Sequence, residues 1–157
     1  MSNDTFRSVL ESVAAEDSAS KSRLLEALQE KLDVASLRNA VKIVRLIENW
    51  REFPIEHSRF VLSDLQRRID CISWDEMASA ISGIAEIIDE CVTVAGGDCD
   101  NCMGDELVFM WDSAEETVVR HCKLCGNTID LSGAIIAETA SLEEATTQQL
   151  ADAGVAF

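Results

Sequence analysis

The chain has 157 residues and 47% of them are hydrophobic, enough for one domain or for a helical domain with a small appended module. No apolar run reaches the roughly 18 residues that a membrane-spanning helix needs. The N-terminal segment lacks the basic and apolar regions of a secretory signal. We therefore expect a cytoplasmic protein outside the membrane, whose six cysteines favour metal binding over disulfides.

The charge is unevenly distributed along the chain. Residues 1–70 carry 11 Lys/Arg and 12 Asp/Glu, whereas residues 71–157 carry 2 Lys/Arg and 17 Asp/Glu, which gives a total of −16. Because such an acidic half repels phosphate backbones, we do not expect it to bind nucleic acid directly. We expect it to attract a basic protein, and the alternative is that the acidic residues only aid solubility.

Residues 1–92 are predicted to form a bundle of five helices, because apolar residues recur there at the i, i+3, i+4, i+7 spacing. The third helix begins after Ser36 and ends at Phe53-Pro54, since a residue before proline disfavours the α conformation. Ser58 predicts the start of the fourth helix, and the capping box Ser73–Glu76 predicts that of the fifth. The predicted inward positions are Phe6, Val9, Leu10, Val13, Leu24, Leu25, Leu28, Leu32, Leu37, Val41, Ile43, Val44, Leu46, Ile47, Trp50, Leu62, Leu65, Ile69, Ile72, Met77, Ile81, Ile84, Ile88 and Cys91.

Three residues of the predicted bundle carry further expectations. Gly83 lies inside the fifth helix at a cost of roughly 1 kcal/mol relative to alanine, which indicates a close helix crossing. Cys71 and Cys91 fall on core positions, where a free cysteine acts as a small hydrophobic side chain. We assign these two cysteines no chemistry.

The composition changes after residue 92, where strands are predicted. Leu107–Trp111 and Thr117–His121 are typical of a hairpin joined by a loop over residues 113–116, and Thr128–Leu131 can add a third strand. A second capping box, Ser141–Glu144, predicts a final helix that stops near Gly154. The expected fold is therefore α+β, with a helical bundle over 1–92 and a sheet with a C-terminal helix over 93–157.

Four cysteines form two C-x-x-C pairs, Cys99/Cys102 and Cys122/Cys125, with 19 residues between the pairs. Thiolates are soft ligands, and four of them suit one tetrahedral Zn²⁺ with no open position. The alternative is a redox dithiol, which is disfavoured because neither pair opens a helix after a strand. His121 is expected to point away from the metal, because neighbouring residues of a strand face opposite ways.

This succession of cysteine turn, hairpin, cysteine turn and strand resembles the zinc-ribbon superfamily over residues 99–131. The resemblance implies a zinc-bearing fold whose ligands are Cys99, Cys102, Cys122 and Cys125. It implies no particular activity, because zinc ribbons occur in RNA polymerase subunits, transcription factors, ribosomal proteins and many enzymes.

The sequence contains none of the motifs that mark common catalytic sites. It has no phosphate-binding loop, no G-x-S-x-G, no H-E-x-x-H and no G-x-G-x-x-G. It has two histidines, and His57 has no predicted partner. We therefore expect a protein that is not an enzyme.

The predicted strand Leu107–Trp111 is apolar at every position, so both of its faces need cover from the rest of the chain or from a partner. Acidic residues flank it, and Asp98 and Asp100 belong to this acidic cluster. An apolar centre with an acidic rim suits a basic protein partner. The predicted partner-binding residues are Asp105, Glu106, Trp111, Asp112, Glu115 and Glu116.

These observations predict a zinc-stabilised acidic module that binds a protein. In size and acidity alone the chain is similar to bacterial toxin immunity proteins, so the favoured function is neutralisation of a basic nuclease toxin. One alternative is a zinc-ribbon regulatory subunit that docks on the transcription or translation machinery. A third possibility is a redox- or zinc-responsive sensor.

Overall fold

A computed structural model describes residues 3–31, 41–102, 106–137, 139 and 141–157. It confirms the α+β class: helices come first, an antiparallel sheet carries the four cysteines, and a short helix follows. The chain divides into two compact units, residues 1–50 with 60–91 and residues 51–59 with 92–157. Within the described ranges, no helix is both long and apolar enough to cross a bilayer.

In its described residues, the first unit contains five α-helices with apolar inner faces. Phe6, Leu10, Leu24, Leu25 and Leu28 are buried, as their spacing predicts. The helices are α1 (Asn3–Ala14), α2 (Lys21–Lys31), α3 (Val41–Glu48), α4 (Leu65–Cys71) and α5 (Met77–Val92). The predicted positions Leu32 and Leu37, and the predicted start of the third helix after Ser36, lie outside the described residues.

The prediction that the fourth helix starts after Ser58 is wrong, because α4 begins at Leu65. Short 3₁₀ turns at Ile55–His57 and Leu62–Asp64 precede it. The amide of Arg59 donates to the carbonyl of Thr93 over 3.0 Å, so the backbone here bonds to another segment instead of continuing a helix.

The capping box predicted at Ser73–Glu76 is also wrong, since α5 begins only at Met77. The indole of Trp74 donates to the carbonyl of Ile69 over 3.2 Å, which keeps this segment against the end of α4 as a turn. Of the predicted inward residues, Met77 is therefore 47% exposed at the first position of its helix.

Two further predictions of burial are wrong because the residues lie at the end of a helix. Val41, the first residue of α3 in the described range, is 74% exposed, and the buried face of that helix is Ile43, Leu46 and Ile47. Cys71, the last residue of α4, is exposed, whereas Cys91 is buried as predicted. Burial raises the pKa of the Cys91 thiol to about 12, which keeps it protonated and unreactive.

Gly83 marks a close approach, as the sequence predicts. A Cβ atom built on Gly83 would lie 2.8 Å from Cγ1 of Ile72, at the C-terminal end of α4. Atoms of neighbouring side chains do not approach this closely without displacement. The glycine therefore permits the contact between α5 and the segment that follows α4.

We expect Gly83→Ala to lower the free energy of unfolding by about 1 kcal/mol, because overpacking costs up to about 3 kcal/mol and better helix propensity returns about 1 kcal/mol. In an Ile72→Ala background the same change should become stabilising, since the clashing atom is gone. Urea denaturation of the four proteins of this cycle measures both effects. Ser82→Ala, exposed on the same helix, controls for propensity alone. Equal effects of Gly83→Ala in the two backgrounds would contradict the contact.

The second unit is built on an antiparallel sheet whose central strand is paired along both edges. The strands are β1 (Ala95–Asp98), β2 (Glu106–Asp112), β3 (Thr117–Cys122), β4 (Thr128–Ile129) and β5 (Leu142–Glu144). They lie in the order β1-β2-β3-β4, and β5 also pairs with β2. One edge of β2 pairs with β3, and the other edge pairs with β1 along its first half and with β5 along its second.

The final helix was predicted from the wrong capping box. Leu142–Glu144 forms β5 on the open edge of β2, because a strand there completes backbone hydrogen bonds that a helix would leave unmade. The last helix, α6 (Thr147–Asp152), is capped by Thr146, whose hydroxyl accepts from the amide of Gln149 while the Gln149 side chain bonds back to the Thr146 amide. It ends just before Gly154, as predicted.

Both faces of β2 are covered within the second unit, which explains its unbroken apolar sequence. On one face, Phe109 and Trp111 pack against the cluster of Val94, Val118, Ala145 and Leu150. On the other, Val108 and Met110 pack with Val119, Ile136 and Leu142. The sequence predicted that either the rest of the chain or a partner protein covers this strand, and here the chain itself covers most of it.

The segment Arg51–Arg59 belongs to the second unit, although the sequence division places it within residues 1–92. Besides the bond from Arg59 to Thr93, the rings of His57 and Phe157 meet edge to face with centroids 5.2 Å apart. These contacts join residues far apart in sequence.

Candidate metal centre

Strand pairing brings the two cysteine pairs to the same end of the sheet. Cys99 follows directly after β1, and Cys122 is the last residue of β3. Asp98 lies opposite Glu106 in one ladder, and Leu107 lies opposite Cys122 in the next. Since Glu106 and Leu107 are the first residues of β2, both cysteine turns start at that end.

The four sulfur atoms form a cluster in which every pair lies within 4.8 Å. Sγ of Cys99 is 3.6 Å from Sγ of Cys125, and Sγ of Cys102 is 3.6 Å from Sγ of Cys122. Four sulfurs bound tetrahedrally at about 2.3 Å from Zn²⁺ would be about 3.8 Å apart. The cluster therefore has the size of a tetrahedral four-sulfur site and could hold one metal ion.

The arrangement favours a metal over the redox alternative. A redox C-x-x-C motif needs only the two sulfurs of one pair, whereas here the sulfurs of both pairs lie within 4.8 Å of one another. In the described part of the chain neither pair opens a helix, so no helix N-terminus activates these thiols. An all-thiolate donor set is one that Zn²⁺ prefers.

The second cysteine turn is held by backbone hydrogen bonds. The amide of Gly126 donates to the carbonyl of Cys122 over 2.9 Å, and the amide of Cys122 donates to the carbonyl of Asn127 over 2.8 Å. Gly126 has a φ of 75°, in the left-handed region that favours glycine. A glycine directly after Cys125 therefore lets the chain turn here without strain.

The burial of the sulfurs differs between the two ends of the cluster. Cys99 and Cys122 are buried beside Leu107, and Ile129 packs against them. Cys102 is half-buried and Cys125 is exposed. Desolvation and hydrogen bonds from the other thiols raise the pKa of Cys102 to about 12, and desolvation raises that of Cys122.

Cys125 has the opposite shift, which the sequence did not predict. A hydrogen bond from the side chain of Asn101, followed by one from the backbone of Asn127, lowers the pKa of Cys125 to about 6. Asn101 lies inside the first C-x-x-C turn, so one cysteine turn stabilises a thiolate of the other. In the sequence, the only indication of this hydrogen bond is that Asn101, the residue before Cys102, is polar.

His121 points away from the cluster, as predicted. It lies opposite Val108, on the other face of the sheet from Cys122 and Leu107. Its Nδ1 is 2.9 Å from the hydroxyl of Thr128, and burial lowers the pKa of its imidazole. It is therefore not a ligand of the metal centre.

The predicted partner-binding residues are not all at one place. Glu106 lies at the cysteine end of β2, whereas Glu115 and Glu116 are exposed in the hairpin turn at the far end. The length of β2 separates them by about 20 Å. Asp105 lies outside the described residues.

Two of those residues serve the fold of the second unit itself. Asp112 is 2% exposed, and its carboxylate accepts hydrogen bonds from the amides of Ala114 and Glu115. It therefore caps the hairpin turn. The ring of Trp111 is half-buried against the cluster that contains Leu150.

Comparison of the chain with protein-family models, with characterised proteins and with solved structures gave no match. The geometry of the four sulfur atoms is therefore the evidence for a metal centre.

We expect the purified protein to contain one equivalent of Zn²⁺ and to present Cys71 as its readily titratable thiol. A chelator should expose the cluster thiols, and Cys102→Ser should unfold residues about 99–131, because a closed zinc site contributes folding energy directly. Metal analysis, thiol titration and amide exchange measure these outcomes. Cys71→Ser is the matched control, which should keep the metal and the fold. Full reactivity of all four cluster thiols in the protein as isolated would contradict the site.

Proposed function

We propose that this protein is a zinc-stabilised acidic interaction module that binds a basic protein. The observation that carries the proposal is the closed four-sulfur cluster at one end of a strongly acidic unit. Residues 93–157 hold 12 Asp/Glu against 2 Lys/Arg. A Cys₄ site adds about two negative charges, since four thiolates outweigh one dication.

The closed site favours a structural over a catalytic metal. Catalytic zinc keeps one position open for water or substrate, whereas structural zinc has four protein ligands. Here four sulfurs can fill every position of a tetrahedron. The proposed function is therefore binding without catalysis, and the metal fixes the two cysteine turns relative to each other.

The surface at the cysteine end of the sheet is the proposed contact. Asp98 and Asp100 are exposed there, and Glu106 is half-exposed directly opposite Asp98. Carboxylates facing one another across strands repel, and a basic partner would relieve this repulsion. Leu124, in the second cysteine turn, is 70% exposed and supplies an apolar contact. One cation, Lys123, lies in the same turn.

Neutralisation of a basic nuclease toxin is the specific form of this function that we favour. Nuclease toxins carry basic phosphate-binding clefts, and an acidic surface at the cysteine turns would compete with phosphate there. Such a protein would act in the bacterial cytoplasm. The alternative, a zinc-ribbon subunit that docks on the transcription or translation machinery, uses the same surface on a different basic partner.

Affinity capture with the zinc-loaded chain, followed by kinetics on the captured partner, tests the proposal. We expect a basic partner whose association slows as salt rises through about 0.15 M, where the Debye length is roughly 8 Å. Asp98→Lys with Asp100→Lys should slow association by about tenfold or more. Glu115→Lys with Glu116→Lys changes the net charge equally at the far end of β2 and should have a smaller effect.

Co-expression and the identity of the captured partner distinguish neutralisation of a toxin from docking on the transcription or translation machinery. Co-expression with a captured nuclease should protect a bacterium, and the Asp98→Lys, Asp100→Lys variant should not. Capture of polymerase or ribosomal subunits would favour the alternative. An acidic partner, a bare nucleic acid or binding that does not depend on salt would overturn the proposal.

A further inference from the structure

A cleft of about 410 Å³ lies between α4 and α5 of the helical unit. Its polar lining consists of Arg67, Arg68, Ser73, Ser79, Ser82 and Glu86. Two adjacent arginines and three hydroxyls supply hydrogen-bond donors of the kind that bind an oxyanion. We propose that this cleft binds a small phosphate monoester, with the phosphate held by the arginines and serines.

Arg68 supplies one guanidinium to the lining of the cleft. Its guanidinium carbon lies 5.3 Å from the ring centre of Phe60, and its Nη2 forms an ion pair with Glu90. Its Nε finds no hydrogen-bond acceptor among the residues that the structure describes, and it has almost no solvent-accessible surface. The side chain must therefore turn toward the cleft before this N–H can donate to a phosphate oxygen, and Arg is the side chain best suited to phosphate.

Arg67 supplies a second guanidinium that can change partner. It is paired with Asp64 at 2.9 Å, but the two side chains are 71% and 43% exposed. Exposed pairs of this kind contribute little to stability, so a phosphate dianion can displace Asp64.

The wall of the cleft formed by α5 attracts an anion at one end and repels it at the other. Ser79 lies in the first turn of the helix, where amides lack intrahelical acceptors and the helix dipole is positive. Glu86 lies two turns further along the same face, beyond Gly83. Since Glu86 repels an anion, the phosphate belongs near Ser79. The uncharged part of the ligand then lies against Ile72 and Ile87, in a volume typical of small-molecule sites.

Binding is tested on the full-length, zinc-loaded protein with glycerol 3-phosphate and inorganic phosphate as probes. We expect saturable amide shifts at Ser79 and Ser82, absent with glycerol or with NaCl at equal ionic strength. Cys71 lines the cleft and is exposed, so occupancy should slow its alkylation by iodoacetamide. Inorganic phosphate should bind more weakly than glycerol 3-phosphate, because it lacks the organic part.

Four variants give opposite expectations. Arg68→Lys keeps a cation for Glu90 but removes the Nε–H, and should weaken binding about tenfold or more. Ser79→Ala should weaken it several-fold. Glu86→Gln should tighten it, because a repelling charge is removed. Arg7→Gln removes one positive charge from exposed α1, where Arg7 pairs with Glu11, and should leave binding unchanged.

Several results would overturn the proposal. Shifts that NaCl reproduces would show general ionic screening without a site. Weaker binding in Glu86→Gln would show that the cleft prefers a cationic or zwitterionic ligand. A loss of binding in Arg7→Gln would show that the net charge of the protein matters and not the cleft, because Arg7 is not among the residues that line the cleft. Circular dichroism of each variant verifies that it is folded.

Discussion

The pairing of β2 with β3 is the constraint on which the second unit depends. It fixes Leu107 opposite Cys122, and the β1–β2 pairing fixes Asp98 opposite Glu106, so two cysteine turns separated by 19 residues meet at one end of the sheet. A shift of one residue in either ladder would turn Cys122 or Cys99 to the opposite face and dismantle the cluster. The strand register therefore determines whether the four sulfurs can meet.

The chemistry of the cluster follows from what surrounds each sulfur. Burial beside apolar side chains disfavours the charged form of Cys122, and the exposed Cys125 receives hydrogen bonds that favour its charged form. A divalent cation at the centre would reverse the balance for Cys122, because its charge favours a thiolate. Such an ion would join the two cysteine turns through their sulfurs.

The sequence predicted those features that depend on local patterns. The C-x-x-C spacing identified the four cysteines that cluster, the apolar period identified α1, α2 and α5, and the run Thr117–His121 identified β3 within one residue. The capping signals failed where a distant partner competed for the backbone: Ser141–Glu144 pairs with β2, and the segment after Ser58 bonds to Thr93. The role of Asn101 could not be predicted, because it depends on a contact between two turns that only the sheet brings together.

The interleaving of the two units bears on how the protein is made and divided. During synthesis the segment Arg51–Arg59 leaves the ribosome before its partner Thr93. This segment of the second unit therefore has no partner until residues 60–91, which belong to the first unit, and then residues 92–157 have also been made. A fragment that starts at residue 93 would lack the amide of Arg59 and the ring of His57 that contacts Phe157. Minimal versions of the acidic unit must therefore carry the 51–59 segment with them, through a linker or a permuted chain order.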